Sequence, residues 1–332
     1  MKAALTIAGS DSSGGAGIQA DIKTMSALGV YAESVVTALT AQNTMGVQGV
    51  VATDPDFVLL QMESVFSDIY PNAVKIGMLP TAEVVHAVGR GLQRFDAQNV
   101  VLDPVMVATS GAALSEAPAV QALFGLLPQA SVVTPNIPEA EALSGMPIET
   151  KEDMLAAAKA IQLKGAQAVL VKGGHLPEEA DDVLLEASGV VTWLSAQRVE
   201  TKNTHGTGCT LSSAIASYLA KGETLKHAVA FAKRYLTEAI QANPGLGKGN
   251  GPVNHLFALR SQGGVGLHEP FCQCQKRFAL RGDLFIGYGA EQLVKHKPNM
   301  WSLRYAESDK IGAVDWQVGG RKHLTLREHL IE

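Results

Sequence analysis

The sequence predicts an α/β protein of three layers, with a mostly parallel central sheet and helices on both faces. Three observations carry that expectation. Short continuous runs of Ala, Val, Ile and Leu, such as residues 3–8 and 168–171, have strand length and lack polar alternation, as a strand covered on both sides requires. Segments of ordinary helix length stand between these runs, the order expected of βαβ units. The residues directly after the runs are nearly all polar, glycine or able to hold a metal, and open α/β sheets bind ligands beyond the carboxyl ends of their strands.

Taken in order, residues 3–8 read as a buried strand, followed by the loop Gly9-Ser10-Asp11-Ser12-Ser13-Gly14-Gly15-Ala16-Gly17 and a helical period over 18–28. Residues 31–39 form a second apolar strand leading to the polar Gln42-Asn43-Thr44, and 47–52 a further short strand. Asp54-Pro55 predicts the start of an amphipathic helix over 56–66, because aspartate caps the first amides and proline fits the first turn. The alternation then becomes regular: strand 73–78, helix 82–95, strand 99–102 ending at Asp103-Pro104, a helix around 117–126, and strand 131–134 ending at Pro135-Asn136. Helices over 138–143 and 151–163 precede strand 168–171, which runs into Lys172-Gly173-Gly174-His175. Residues 181–185 and 190–194 look like a strand pair, and helices over 210–220 and 224–241 follow.

Composition excludes several classes of function. Of 332 residues, 46% are hydrophobic and 18% charged, which supplies a large core and argues against disorder over most of the chain. The net charge of -5 and the lack of Lys/Arg blocks leave no footprint for a nucleic-acid partner or an anionic membrane. No apolar run reaches membrane-spanning length. The start, Met1-Lys2 followed by a short apolar run ending in glycine and aspartate, does not read as a signal peptide. Three cysteines make no disulfide framework in so long a chain. A soluble, cytoplasmic protein is expected.

The most informative stretch is 201–213, Thr-Lys-Asn-Thr-His-Gly-Thr-Gly-Cys-Thr-Leu-Ser-Ser. A glycine turn feeding a helix leaves the first amides unpaired at the positive end of the helix dipole, a ready anion site. Thr204, Gly206, Thr207 and Gly208 would hold a phosphoryl group there, and Cys209 would have its thiolate favoured by the helix end. Phosphoryl transfer also needs a cation near the phosphates. Asp103, Asn136 and Glu139 carry oxygens at adjacent strand ends, suited to magnesium directly or through water. The competing reading is that Asn136 and Glu139 cap the helix that starts at Pro138. Lys172 follows an apolar strand and suits a phosphate as a point charge. His205 and His175 read as local hydrogen-bonding residues. The loop Gly245-Leu246-Gly247-Lys248-Gly249-Asn250-Gly251-Pro252 reads either as a backbone that approaches a ligand closely or as a flexible linker. Gly14-Gly15-Ala16-Gly17 is not G-x-G-x-x-G, which argues against a dehydrogenase.

The ordered set of motifs resembles the hydroxymethylpyrimidine/phosphomethylpyrimidine kinases of thiamine biosynthesis, within the ribokinase-like superfamily. It comprises Ala4-Leu5-Thr6-Ile7-Ala8-Gly9-Ser10-Asp11 through Ala20-Asp21, Thr37-Ala38-Leu39-Thr40-Ala41-Gln42-Asn43-Thr44, Lys75-Ile76-Gly77-Met78-Leu79 and Leu102-Asp103-Pro104-Val105-Met106. It continues with Thr134-Pro135-Asn136-Ile137-Pro138-Glu139-Ala140, Val171-Lys172-Gly173-Gly174-His175, Asn203-Thr204-His205-Gly206-Thr207-Gly208-Cys209-Thr210 and Gly249-Asn250-Gly251-Pro252-Val253. The resemblance implies a ribokinase-like fold and the use of ATP and Mg2+ to phosphorylate a hydroxymethylpyrimidine, then its monophosphate. It also implies a pyrimidine held near Gly9, Asp21, Gln42, Met78 and Val105, with Cys209 at the reactive hydroxymethyl; with its thiolate favoured by the helix end, Cys209 is expected to accept the alcohol proton. Gly249 joins the phosphate-binding set, and by superfamily analogy the enzyme is a homodimer. The alternatives are a pyridoxal kinase of the same superfamily and a non-catalytic ligand-binding regulator.

The resemblance covers residues 1–257, the expected kinase domain. Residues 258–332 show no sustained periodicity and read as an extension, poorly packed on the kinase body and dispensable. Cys272-Gln273-Cys274 is a weak metal signal without further ligands nearby.

Overall fold

The computed structural model describes residues 1–106, 116–174, 181–196 and 198–257, together with the backbone of 302–304, 314–317 and 323–326. His175, Cys272 and Cys274 therefore lie outside the described residues.

Burial on both faces decides the strands. β1 (Ala3–Asp11) sends Leu5 and Ile7 into one apolar layer and Ala4 into the other. The same division recurs at β4 (Ala73–Ile76), β5 (Val100–Leu102), β6 (Val132–Val133) and β7 (Val169–Val171). With β2 (Tyr31–Asn43) these strands run parallel to one another. β3 (Gly46–Ala52) folds back antiparallel on β2, and β8 (Asp182–Leu185) and β9 (Val191–Leu194) form an antiparallel pair at the other edge. The result is a nine-stranded sheet in the order β3-β2-β1-β4-β5-β6-β7-β8-β9.

Helices α2 (Pro55–Phe66), α3 (Ala82–Arg94), α4 (Ala117–Leu123), α5 (Ile137–Ser144) and α6 (Lys151–Leu163) pack through Met62, Val88, Leu123, Leu143 and Ile161 on one face. α1 (Gly17–Ala27), α7 (Thr207–Ala220) and α8 (Leu225–Gln241) cover the other through Met25, Ile215 and Val229. The three-layer α/β/α expectation thus holds. Asp54 caps α2 by accepting from the amides of Asp56 and Phe57, with Pro55 in the first turn, as its sequence predicts.

Three boundaries differ from the sequence reading in ways that matter for the site. β1 continues through Gly9, Ser10 and Asp11, because Gly17 bridges back to Ser10 and β2 pairs alongside. β2 extends to Asn43, since the turn into β3 lets a hairpin form there. α7 begins at Thr207 rather than 210: Gly206, in the left-handed region at φ 82°, stands at its N-cap. Gly208 and Cys209 are thus part of the first helical turn.

The chain divides into two compact units, residues 1–265 and 266–332. Within the second, β10 (Ser302–Arg304), β11 (Val314–Gln317) and β12 (His323–Leu326) form an antiparallel sheet in that order. Among the described residues no helix is long and apolar enough to cross a membrane.

One buried group stores a pH dependence. Glu33 on β2 is 9% exposed, and its Oε2 has no hydrogen-bond partner among the described residues. Burial, reinforced by Asp68, pushes its carboxyl up from 4.5 to about 7. The folded chain therefore holds a proton that the unfolded chain releases at lower pH. Stability from this group is full below pH 4.5 and falls as pH rises through 7. Glu33→Gln is expected to stabilise the fold on the order of 1–3 kcal/mol at pH 8, with the gain vanishing toward pH 4.5. Denaturant unfolding at both pH values checks this; a gain independent of pH would assign the effect to packing.

Candidate active site

The carboxyl ends of β1, β2, β4, β5 and β7 and the start of α7 surround one cavity of about 920 Å³ in the first unit. Its walls are set by hydrogen bonds made behind them. Asp11, at the end of β1, accepts from the amides of Ser13 (2.8 Å), Gly15 (3.1 Å) and Ala16 (2.8 Å) and from the Ser13 hydroxyl (2.8 Å). It also pairs with Nε2 of His205 at 2.8 Å. Burial alone would raise its carboxyl, but these bonds, led by His205, bring it down to about 2. The first glycine loop is thereby tied to the turn before α7. His205 is the local hydrogen-bonding residue that its position in the sequence suggests.

Ser12 and Thr40 hold Gln42. The Gln42 amide donates to the Ser12 hydroxyl at 2.9 Å, and Thr40 Oγ1 donates to Gln42 Oε1 at 3.1 Å. Thr37 donates to the Met78 carbonyl at 2.7 Å. Gly9 has no side chain for a steric reason: a Cβ there would stand 2.8 Å from the Met78 sulfur. Gly9, Gln42, Met78 and Val105 all line the cavity. Asp21 does not. It is 0% exposed beneath the wall, with Thr6, Lys75 and Ser213 all bonded to its carboxylate, so it is closed to direct ligand contact.

At the other end of the wall, Lys172 Nζ lies 2.9 Å from Asp103 Oδ1 and 3.9 Å from Glu139 Oε2. Thr134 (3.2 Å) and Ser212 (3.3 Å) also donate to Asp103. Burial opposes ionisation of Asp103, but Lys172 and Lys75 hold it below the usual carboxylate range. Gly208 belongs to the same cluster: a Cβ there would stand 3.4 Å from both Asp103 Oδ2 and Lys172 Nζ. In the first turn of α7, Thr207 donates its amide to Thr204 (3.3 Å) and Thr210 to Gly206 (2.8 Å). Helix geometry leaves the Gly208 and Cys209 amides without a carbonyl in the turn before them. Thr204, Gly206, Thr207, Gly208, Cys209 and Lys172 all line the cavity.

Asn136 and Glu139 line it too, but their side chains form a capping box for α5: Asn136 Oδ1 accepts from the Glu139 amide at 2.9 Å, and Glu139 Oε2 from the Asn136 amide at 2.8 Å. The capping reading of this pair is therefore realised, and both residues still face the cavity. Among the described residues no group of three or more His, Cys, Asp and Glu could hold a metal. The donor set nevertheless suits a hard cation. Burial pushes Glu139 up to about 7, with Lys172 pulling it down and Asp103 pushing it up, so a divalent ion beside these two carboxylates relieves their repulsion.

Besides Asp21, two readings of the sequence change. The Cys209 thiol is not activated at rest. Burial pushes it up to about 11, outweighing the lowering by Lys75 and by the Gly17 amide, while Asp21 and Asp103 raise it further. Gly249 lies away from the cavity wall. Its amide donates to Thr44 Oγ1 at 3.2 Å, and the loop is stitched to Thr44 and Asn203 through Asn250 and Gly251. That loop is a joint between distant segments, not a linker.

Sequence reasoning missed Lys75, Asp11 and the buried ion pair of Asp182 with Lys233 (2.7 Å). The available signal was a charged residue inside an otherwise apolar strand, as in Ala73-Val74-Lys75-Ile76.

A family model described as phosphomethylpyrimidine kinase matches residues 11–254. The chain is 55% identical over 258 residues to a hydroxymethylpyrimidine/phosphomethylpyrimidine kinase of Rhizobium meliloti, a match covering 76% of this chain and 96% of that one. It is 52% identical over 256 residues to a thiamine biosynthesis bifunctional protein of Geobacter sulfurreducens; the match covers 76% of this chain but only 52% of that protein, about half its length. In fold it is similar to the pyridoxal kinase from Staphylococcus aureus solved in complex with AMP-PCP and pyridoxal, with a TM-score of 0.70 and 37% identity, covering 77% of this chain and 94% of that one.

Proposed function

The chain belongs to the phosphomethylpyrimidine kinase family, and on that premise we propose that it transfers the γ-phosphoryl group of ATP to 4-amino-5-hydroxymethyl-2-methylpyrimidine and then to the resulting monophosphate, in thiamine biosynthesis. The carrying observation is the convergence of Lys172, Asp103 and the Gly208 backbone at the start of α7, in one cavity with Gly9, Gln42 and Met78. Phosphoryl transfer asks a protein for positioning and charge balance more than for covalent chemistry. This cavity supplies both.

The pyrimidine lies against Met78, Val105 and the bare backbone of Gly9, and the Gln42 amide pairs with a ring nitrogen or the exocyclic amine. Asp21 contributes from beneath, through Lys75 and Ser213, rather than by touching the ring. ATP occupies the half of the cavity walled by Val199, Leu236 and Ile240, whose apolar surface suits a flat base. The Gly208 and Cys209 amides and Lys172 stabilise charge on the transferring group. Asp103 and Glu139, with Asn136 beside them, would hold Mg2+, which supplies charge neutralisation on the phosphates. Cys209 takes the acceptor's proton. Its high resting pKa suits a loose transition state in which that proton leaves late. Residues 1–257 carry the activity and 258–332 are an extension dispensable for it. The exposed Leu39, Val50 and Val51 on β2 and β3 support a homodimer.

A pyridoxal kinase is the second reading, favoured by the likeness to the Staphylococcus aureus enzyme. Purified protein with ATP and Mg2+ is assayed on the pyrimidine alcohol, its monophosphate and pyridoxal. The expected result is turnover of both pyrimidines with kcat/KM at least about tenfold above pyridoxal, the scale on which polar contacts in a pocket discriminate. Preference for pyridoxal would replace the primary reading; no turnover of any of the three would favour a non-catalytic regulator.

A further inference from the structure

Beneath the cavity lies a buried polar knot whose part in the transfer the reading above leaves unspecified. Thr6 on β1, Lys75 on β4 and Ser213 on α7 all bond the carboxylate of Asp21 on α1, at 2.6, 2.8 and 2.5 Å, and all four residues are 0% exposed. Ser213 is four residues beyond Cys209 on α7, so the two share a helix face one turn apart. The ammonium of Lys75 also lies close to the backbone that leads from β4 into the cavity wall: a Cβ on Gly77, directly before Met78, would meet Nζ at 2.6 Å. Lys75 therefore sits where the substrate wall and the Cys209 face of α7 meet.

Stability alone is a poor explanation for such a pair. Burying both charges costs several kcal/mol each in desolvation, and apolar residues of similar volume are often as stable or more so. The charges around the sulfur point elsewhere. Cys209 is faced by Lys75 from β4, Asp21 from α1, Asp103 from the end of β5, and Lys172 from the end of β7. Lys75 is the cation that most lowers the sulfur's proton affinity, and its own ammonium is held charged by Asp21 in spite of its burial.

We propose that Lys75, fixed by Asp21, is a positioning residue for phosphoryl transfer that acts through Cys209 by stabilising the negative sulfur that receives the acceptor's proton. The inference rests on the proposed kinase reading. In the step, the alcohol O–H bond breaks and its proton joins the Cys209 thiolate. The alcohol oxygen bonds the γ-phosphorus, and the bond from phosphorus to the bridging oxygen breaks, its electron pair leaving on ADP. The thiol returns its proton to solvent. Only the ionised sulfur takes the proton, and desolvation keeps that form scarce, so rate follows its fraction and Lys75 helps to set it.

The test reads the sulfur directly. In full-length chain carrying Cys272→Ser and Cys274→Ser, the rate of Cys209 alkylation by iodoacetamide is followed against pH, with Cys209→Ser as the blank. Lys75→Met is expected to slow alkylation about tenfold at a given pH and to lower kcat about tenfold with KM for the alcohol within about twofold. Lys75→Arg restores both. Asp21→Asn, which leaves the lysine charge unbalanced but keeps an oxygen for Thr6 and Lys75 and sets its NH2 against the Ser213 hydroxyl, which can accept, speeds alkylation about tenfold. Opposite directions for the two charge-removing variants are the signature; a purely structural knot moves both the same way, or neither, and overturns the proposal. If Lys75→Met does not fold, Asp21→Asn and Lys75→Arg decide: unchanged alkylation in Asp21→Asn sinks it. Because alkylation needs no substrate, this result stands apart from whether the unmodified protein turns over the pyrimidine.

Discussion

Lys172→Met is expected to lower turnover of the pyrimidine alcohol about 10²- to 10³-fold while leaving its KM within a few-fold. Lys172, on the wall of the phosphoryl end, bonds Asp103 at 2.9 Å and reaches Glu139 at 3.9 Å, and its side chain is 15% exposed. Burial alone would make it easier to neutralise, yet Asp103 and Glu139 raise its pKa and keep it charged. Loss of one donor aimed at developing charge in a site of low dielectric has an effect of this size. Uniform loss in KM and kcat/KM with kcat preserved would mean that Lys172 only binds ATP. The substitution also leaves Asp103 buried without its ion pair, a cost of about 3–5 kcal/mol. Kinetics therefore belong with an unfolding curve of the same sample, and are expressed per folded molecule. Turnover within threefold of the parent would remove Lys172 from the chemistry.

The second large effect is expected at Gly206. Its φ of 82° is strained for any residue with a side chain, and a Cβ there would overlap the carbonyl oxygen of Gly15. Gly206→Ala must therefore push the first turn of α7 away from the Gly14-Gly15-Ala16 loop. Displacing the Gly208 and Cys209 amides by about 1 Å is enough to cost about 100-fold in kcat. Overlap with backbone and strain at positive φ together destabilise by about 2–4 kcal/mol. Gly249→Ala makes the useful contrast. A Cβ there would overlap the Thr44 carbonyl, so it destabilises as well, but the site is off the cavity wall and kcat per folded molecule is expected to stay near the parent value. Equal kcat losses in the two variants would indicate that the Gly249 loop reaches the nucleotide after all.

Much of this architecture could be read from residue order. Strands buried on both faces leave continuous apolar runs, and the sheet's ligand-facing edge follows from their direction, so Asp103, Asn136, Lys172 and the 204–209 turn were legible as neighbours. The Asp54-Pro55 start of α2 was local chemistry and came out as read. What failed was information held by partners far away in sequence. Where β1 and β2 end depends on pairing across the sheet, not on propensity. Asp21 reads as a polar residue in a motif, and only its burial against Lys75 and Ser213 removes it from the cavity wall. Gly249 reads as a phosphate-loop glycine, and only its packing on Thr44 shows a joint.

By itself the sequence determined the layered α/β fold, the family, and the set of residues that cluster at the sheet's ligand-facing edge. Each of these is written in local pattern and motif, which survive without knowledge of distance. The tertiary structure alone decided the charge state of those residues. Cys209 sits at a helix start that favours its anion, yet burial beside Asp21 and Asp103 holds its proton on, and the buried Lys75 opposes them. Ionisation depends on solvent exclusion and on every charge within a few ångströms, and both are properties of the folded chain rather than of any stretch of it.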